Sequence, residues 1–94
     1  MAVNVTNARW ENSHRARGVV FSASSPEGTG EFAIGDETLS DLVGDGVPIE
    51  GERCVDVFEE YADEIAAAAG RRLAAGIRPG ELTIITSGEL PSLK

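Results

Sequence analysis

Ninety-four residues hold one small domain (residues 1–94) with no room for a second, and a chain of this size buries only about 60–65 % of its unfolded surface. Sixteen acids against eight Lys and Arg give a formal net charge of −8, a field that repels nucleic acid, and twelve of the acids fall between Glu31 and Glu64. No run approaches the roughly 18 apolar residues of a membrane span, the N-terminus has no apolar leader pattern, and a single cysteine makes no internal disulfide, so the expected setting is soluble and cytoplasmic.

Ala2 to Thr6 alternates small or apolar residues with polar ones and predicts a short edge strand, with Asn7 as a turn residue after it. Ala8 to Arg17 is polar and basic apart from Trp10, and reads as a loop that brings a large aromatic near the surface. From Gly18 the pattern changes: VVFSAS is β-branched, aromatic and alternating, and predicts a strand to Ser24. Turn formers from Ser25 to Gly30 and a short strand from Glu31 to Ile34 complete a hairpin. TLSDLV then predicts a short helix capped by Gly35, with Leu39, Leu42 and Val43 on one face and Ile34 and Leu39 in the positions of a hydrophobic staple. Gly44-Asp45-Gly46 stops it.

The stretch Gly51 to Gly76 predicts one long amphipathic helix. Val55, Phe58, Ala62, Ile65, Ala69 and Leu73 recur at steps of three or four and form its apolar stripe, flanked by Cys54, Tyr61 and Ala66. Its acids gather early and Arg71 and Arg72 come late, as the helix dipole favours; Gly76 and Pro79 end it. Glu81 to Thr86 is the last predicted strand, and the residues from Ser87 onward are expected to fray. The element order is β-β-β-α-α-β. A hairpin and an amphipathic helix each need a partner for their apolar faces, which predicts an α+β fold: an antiparallel sheet of three to four strands with the long helix packed across one face and one short helix beside it. Phe58 and Ile65 are expected against Phe21, Phe32, Ile34 and Ile84, each large side chain contributing about 1.5–3 kcal/mol.

The segments ARW, GVVFSA, EFAIGDETLSDLVG, FEEYADEIAAAAGRRLAAG and ELTIITSGEL, in that order and at those separations, resemble a family of short bacterial domains of unknown function, number 1488. The resemblance covers nearly the whole chain. It departs from the family pattern at Gly35, where a serine is usual, and at Ser87-Gly88-Glu89, where an acid followed by an aromatic is common. It implies an α+β fold and a bacterial, cytoplasmic origin, and it brings no catalytic residues or activity.

No catalytic constellation, cofactor motif or metal-ligand set stands out. His14 and Cys54 are two candidates where a zinc site needs several N or S ligands, Gly28-Thr29-Gly30 lies between Glu27 and Glu31 with no following GK[ST], and the acids do not follow calcium-loop spacing. The exception to the acidic surface is basic: Arg9, Arg15 and Arg17 with Trp10 and His14, a set suited to an anion or a partner contact, or to pairing with acids such as Glu59 and Asp63 of the long helix. Ala66, Gly70 and Ala74 form a row of small residues that suits close packing on the sheet or a helix-to-helix dimer contact. The sequence is therefore read as a non-enzymatic binding or regulatory module acting through protein-protein contacts, with an unknown partner or by self-association and without nucleic acid, membrane or cofactor. The alternative is a small-anion or metabolite binder that uses the arginine-rich N-terminal loop.

Overall fold

Three strands, Asn4–Asn12 (β1), Arg17–Ser25 (β2) and Gly28–Gly35 (β3), pair antiparallel in succession; the chain then forms helices Asp36–Val43 (α1), Glu52–Glu60 (α2) and Ala62–Ala75 (α3) and returns as Leu82–Ile85 (β4). The structure, a computed structural model, describes residues 3–78 and 80–93; Ala2 and Pro79, used above for the first strand and the helix stop, lie outside the described residues. The sheet order is β1-β2-β3-β4, and β4 runs parallel to β3. A sheet antiparallel throughout gives way to this mixed one because the helices carry the chain back to the end of the sheet where β3 began.

The core lies between the helices and one face of the sheet. Val19, Phe21 and Ala23 of β2, Phe32 and Ile34 of β3 and Ile85 of β4 join Leu39, Phe58, Ile65 and Leu73 in a single buried cluster. Phe21 is its centre, stacked on Phe32 with ring centroids 5.7 Å apart and tilted against Phe58 at 4.9 Å, separations at which aromatic pairs attract beyond their buried area. Ile85 replaces Ile84 in this cluster, 1 % exposed against 45 %. A two-residue period allows only one of two adjacent isoleucines to face inward.

β1 is longer than the predicted edge strand and absorbs most of the predicted loop. Thr6 pairs with Ser22 but Arg9 with Val20, so Asn7 and Ala8 together oppose a single residue of β2. Asn7 has φ 60°, a left-handed conformation that Asn tolerates better than most residues. This is a β-bulge, and it reverses which residues of β1 face the core. Beyond it Trp10 packs on the core cluster while Arg9 points to the other side.

The long helix is broken at Tyr61, whose φ of −106° and ψ of 21° leave the helical region. The ladder continues through the joint, Tyr61 N–H to Val57 C=O and Ile65 N–H to Tyr61 C=O, both 3.1 Å. The Tyr61 hydroxyl donates to the Leu42 carbonyl at 3.0 Å and ties the joint to the last turn of α1. Each half buries its own stripe, Cys54, Val57 and Phe58 in α2 and Ile65, Ala68, Ala69 and Leu73 in α3. Val55 and Ala62, assigned above to the stripe, are only half-buried, because the contact face is turned by about one residue. α1 is flanked by Gly35 before it and Gly44 after it, whose φ of 81° lets its N–H return to the Ser40 carbonyl.

The C-terminal segment is folded rather than frayed. Two 3-10 turns, Ser87–Glu89 and Pro91–Leu93, bring Leu90 into the core, where it is fully buried. Arg72 grips the Glu89 carboxylate through Nε (3.0 Å) and Nη2, and Ser92 donates its hydroxyl to Glu64 at 2.6 Å.

Candidate functional site

The helices and the C-terminal turns all contribute to the one core cluster, so they cover a single face of the sheet. Among the described residues the opposite face carries no helical layer. Its rows follow from strand register: Arg9, Val20, Ala33 and Ile84 lie side by side across all four strands, and Thr6, Ser22, Glu31 and Leu82 form the next row. Val20 is fully buried and Ala33 is 2 % exposed, although neither belongs to the core cluster. Larger neighbours on the outer face roof them, with charged side chains towards β1 and Ile84 at the β4 rim.

The charged roof is an ion cluster. Arg15, in the turn between β1 and β2, forks Glu11 through Nε (2.8 Å) and Nη2 (3.0 Å) and reaches Glu31 through Nη1 (2.8 Å). Arg9 lies 3.6 Å from Glu31 and donates to the Asn7 carbonyl at 2.9 Å. Arg15, with help from the Ser13 hydroxyl, holds the Glu11 carboxyl down at about 2. The Glu11 and Glu31 carboxylates in turn push the Arg15 guanidinium further up. Two arginines and two glutamates make this patch neutral in sum.

Of the set singled out from the sequence, Arg9, Trp10, Arg15 and Arg17 therefore do not form one site. Arg9 and Arg15 lie on the outer face, and Trp10 on the helix side at the β1 edge. Arg17 donates to Asp36 (2.8 Å) and Glu50 (3.2 Å), at the start of α1 and before α2. The partners are strand and helix-start carboxylates rather than Glu59 or Asp63. An added anion would have to displace a carboxylate from Arg15 or Arg17 to be bound by either.

Three open hollows, of about 260, 310 and 200 Å³, sit at the small end of the range of ligand pockets, and neither Trp10 nor any of the three arginines lines them. The first lies between α1 and the loop before α2, with Asp36, Glu37 and Asp41 on its wall; the second lies between α3 and the β2–β3 turn, beside Ala67, Gly70 and Ala74. Among the described residues no polar or charged residue is buried, and no three His, Cys, Asp or Glu side chains converge as metal ligands. Cys54 is fully buried, and its thiol is pushed up to about 11, first by burial and then by the nearby Asp36 and Glu50 carboxylates. A thiol in that state is a poor nucleophile.

Sequence reasoning missed Glu11, Glu31 and Ile84. Glu11 and Ile84 had a visible signal, since each follows from alternation once Trp10 and Ile85 are turned inward. Glu31 had none, because its role depends on the β2–β3 register. No family model matches the chain, and neither a curated protein nor a solved structure does. Among the described residues no helix is long and apolar enough to cross a membrane.

Proposed function

We propose that the chain is a small, non-catalytic, cytoplasmic binding module that acts through protein-protein contacts, with the outer face of its sheet as the contact surface. The observation that carries this reading is the uncovered face itself. It combines the hydroxyls of Thr6 and Ser22, the neutral ion cluster and the 45 %-exposed Ile84 at its rim. Arginine is among the residues enriched in protein interfaces, and two of them lie on this face, with an exposed isoleucine at its other border. A free buried thiol at Cys54 suits a reducing compartment.

The test is cross-linking of the tagged chain in cells of its source, comparing wild type with Ser22→Arg. Ser22 is half-exposed at the middle of the face, so the substitution adds a long charged side chain there without emptying the core. A stoichiometric partner retained by wild type and lost by Ser22→Arg is the expected outcome. Retention by both proteins refutes the surface assignment. The absence of any stoichiometric partner refutes the binding-module reading.

A further inference from the structure

The sheet ends in two edges of opposite character. β1 is bulged at Asn7, where φ is 60°, and carries Arg9 and Glu11; these are the devices that keep a strand from pairing with another chain. β4 is short, four residues, but it has no bulge and no charge of its own. Leu82 to Thr86 reads LTIIT, uncharged and unbulged, and Thr86 keeps an extended backbone beyond the assigned strand end.

From this we infer that β4 pairs antiparallel with β4 of a second copy across a two-fold axis at Ile84. The inference rests on the protein-contact reading above and names one partner for it. Three observations select a second copy. The first is the direction of the Ile84 carbonyl. The Ile84 carbonyl accepts a long 3.5 Å hydrogen bond from Arg72 Nη2, whose firm partner is Glu89; this places the carbonyl, and by strand geometry the N–H of the same residue, on the rim side, and pairing with a second copy replaces that one long bond. A two-fold axis at such a residue lets Ile84 and its symmetry mate exchange both hydrogen bonds.

The second is side-chain register. An axis normal to the sheet keeps both helical layers on one side. Ile84 then meets its symmetry mate on the outer face, Thr83 faces Ile85 and Leu82 faces Thr86. The Arg9-Val20-Ala33-Ile84 row continues into its copy, and the exposed Ile84 is covered by an identical side chain.

The third is charge. The acids that give the chain its −8 concentrate on α1, α2 and the loop between them, whereas the surroundings of β4 carry both signs. Arg78 pairs with Glu81 before the strand and Arg72 with Glu89 after it. In the antiparallel arrangement Glu81 of one copy lies near the end of the other strand, where Arg71 and Arg72 sit. Because β1 is protected, pairing stops at two copies and closes.

Sedimentation equilibrium over a concentration series into the millimolar range tests this on wild type and Ile84→Lys. Wild type is expected to approach twice its 9.9 kDa mass. Association should strengthen with added salt, which screens the like net charges, and Ile84→Lys should weaken it at least tenfold while its thermal midpoint holds. Amide exchange of the unmutated chain gives a readout independent of any variant: protection of the Ile84 N–H should rise with concentration while the β1 edge stays unchanged. A wild type that remains monomeric, an Ile84→Lys dimer of unchanged strength, or concentration-dependent protection at β1 instead overturns the inference. A monomeric wild type that still captures a Ser22-dependent partner overturns the second copy alone and leaves the protein-contact reading standing.

Discussion

Leu90→Ala measures how far the C-terminal turns belong to the fold. Leu90 is fully buried, so its substitution loses the full transfer free energy of the removed atoms and leaves a hole beneath Pro91–Leu93. Core Leu→Ala changes cost about 2–5 kcal/mol. Leu90 lies between two short 3-10 turns that can settle into the space, which places it in the lower half, about 2–3 kcal/mol. For a domain of this size that corresponds to a midpoint lower by roughly 10–20 °C. Urea unfolding followed by Trp10 fluorescence and by far-UV circular dichroism gives the number, with the two probes expected to coincide and the denaturant slope to stay the same. A loss below about 0.5 kcal/mol, the size of an ordinary surface substitution, refutes the packing of this segment on the core.

Four further outcomes follow from single contacts. Tyr61→Phe removes the hydroxyl that satisfies the Leu42 carbonyl and should cost about 1–2 kcal/mol in urea unfolding, with far-UV helicity retained; an unchanged midpoint would remove the hydrogen bond as the anchor of the helix joint. Gly18→Ala places a Cβ 2.1 Å from the Ile34 carbonyl oxygen, a backbone atom with no freedom to withdraw, and should lower stability by about 1–3 kcal/mol, checked by thermal unfolding. Cys54 should react with disulfide reagents at mildly alkaline pH only as fast as the domain opens, and rapid stoichiometric labelling would contradict its burial and its thiol near 11. Glu11 titrates near 2 when folded against an ordinary 4.5, so between those values the unfolded chain binds more protons. Its contribution is complete above about 4.5 and is lost as pH falls towards 2; in Glu11→Gln this part of the acid-side slope of midpoint against pH should disappear.

Most elements were legible because their apolar periods are local. The hairpin, the Gly35-capped helix and the last strand each needed only a window of a few residues. β1 failed for a definite reason. Alternation is the signal for a strand, and the bulge at Asn7 shifts its phase by one residue, so a nine-residue strand looks like a short strand, a turn and a polar loop. The break at Tyr61 was hidden for the opposite reason: the helical period runs through it, and what accompanies it is a tertiary hydrogen bond from Tyr61 to Leu42, which no local pattern encodes. Leu90 gave little notice because one leucine in a Ser-Gly-Glu-Leu-Pro context has no period at all.

The arginine set shows where composition and geometry part. Arg9 and Trp10 are neighbours in sequence, and in a loop they could converge on one ligand. In a strand adjacent side chains point to opposite faces, so their proximity in the chain guarantees their separation in space. The same pleat settles the last strand, where Ile85 fills the core and Ile84 is left on the rim. The bulge strengthens the contrast between the two edges. By turning Arg9 outward it places a charge on the uncovered face beside β1, while no equivalent charge stands within Leu82 to Thr86. The outer face is therefore polarised along the row from Arg9 to Ile84, charged at the protected edge and apolar at the open one. A partner that adds to this sheet should approach from β4, and the charged β1 end should set the salt dependence of whatever docks across the face.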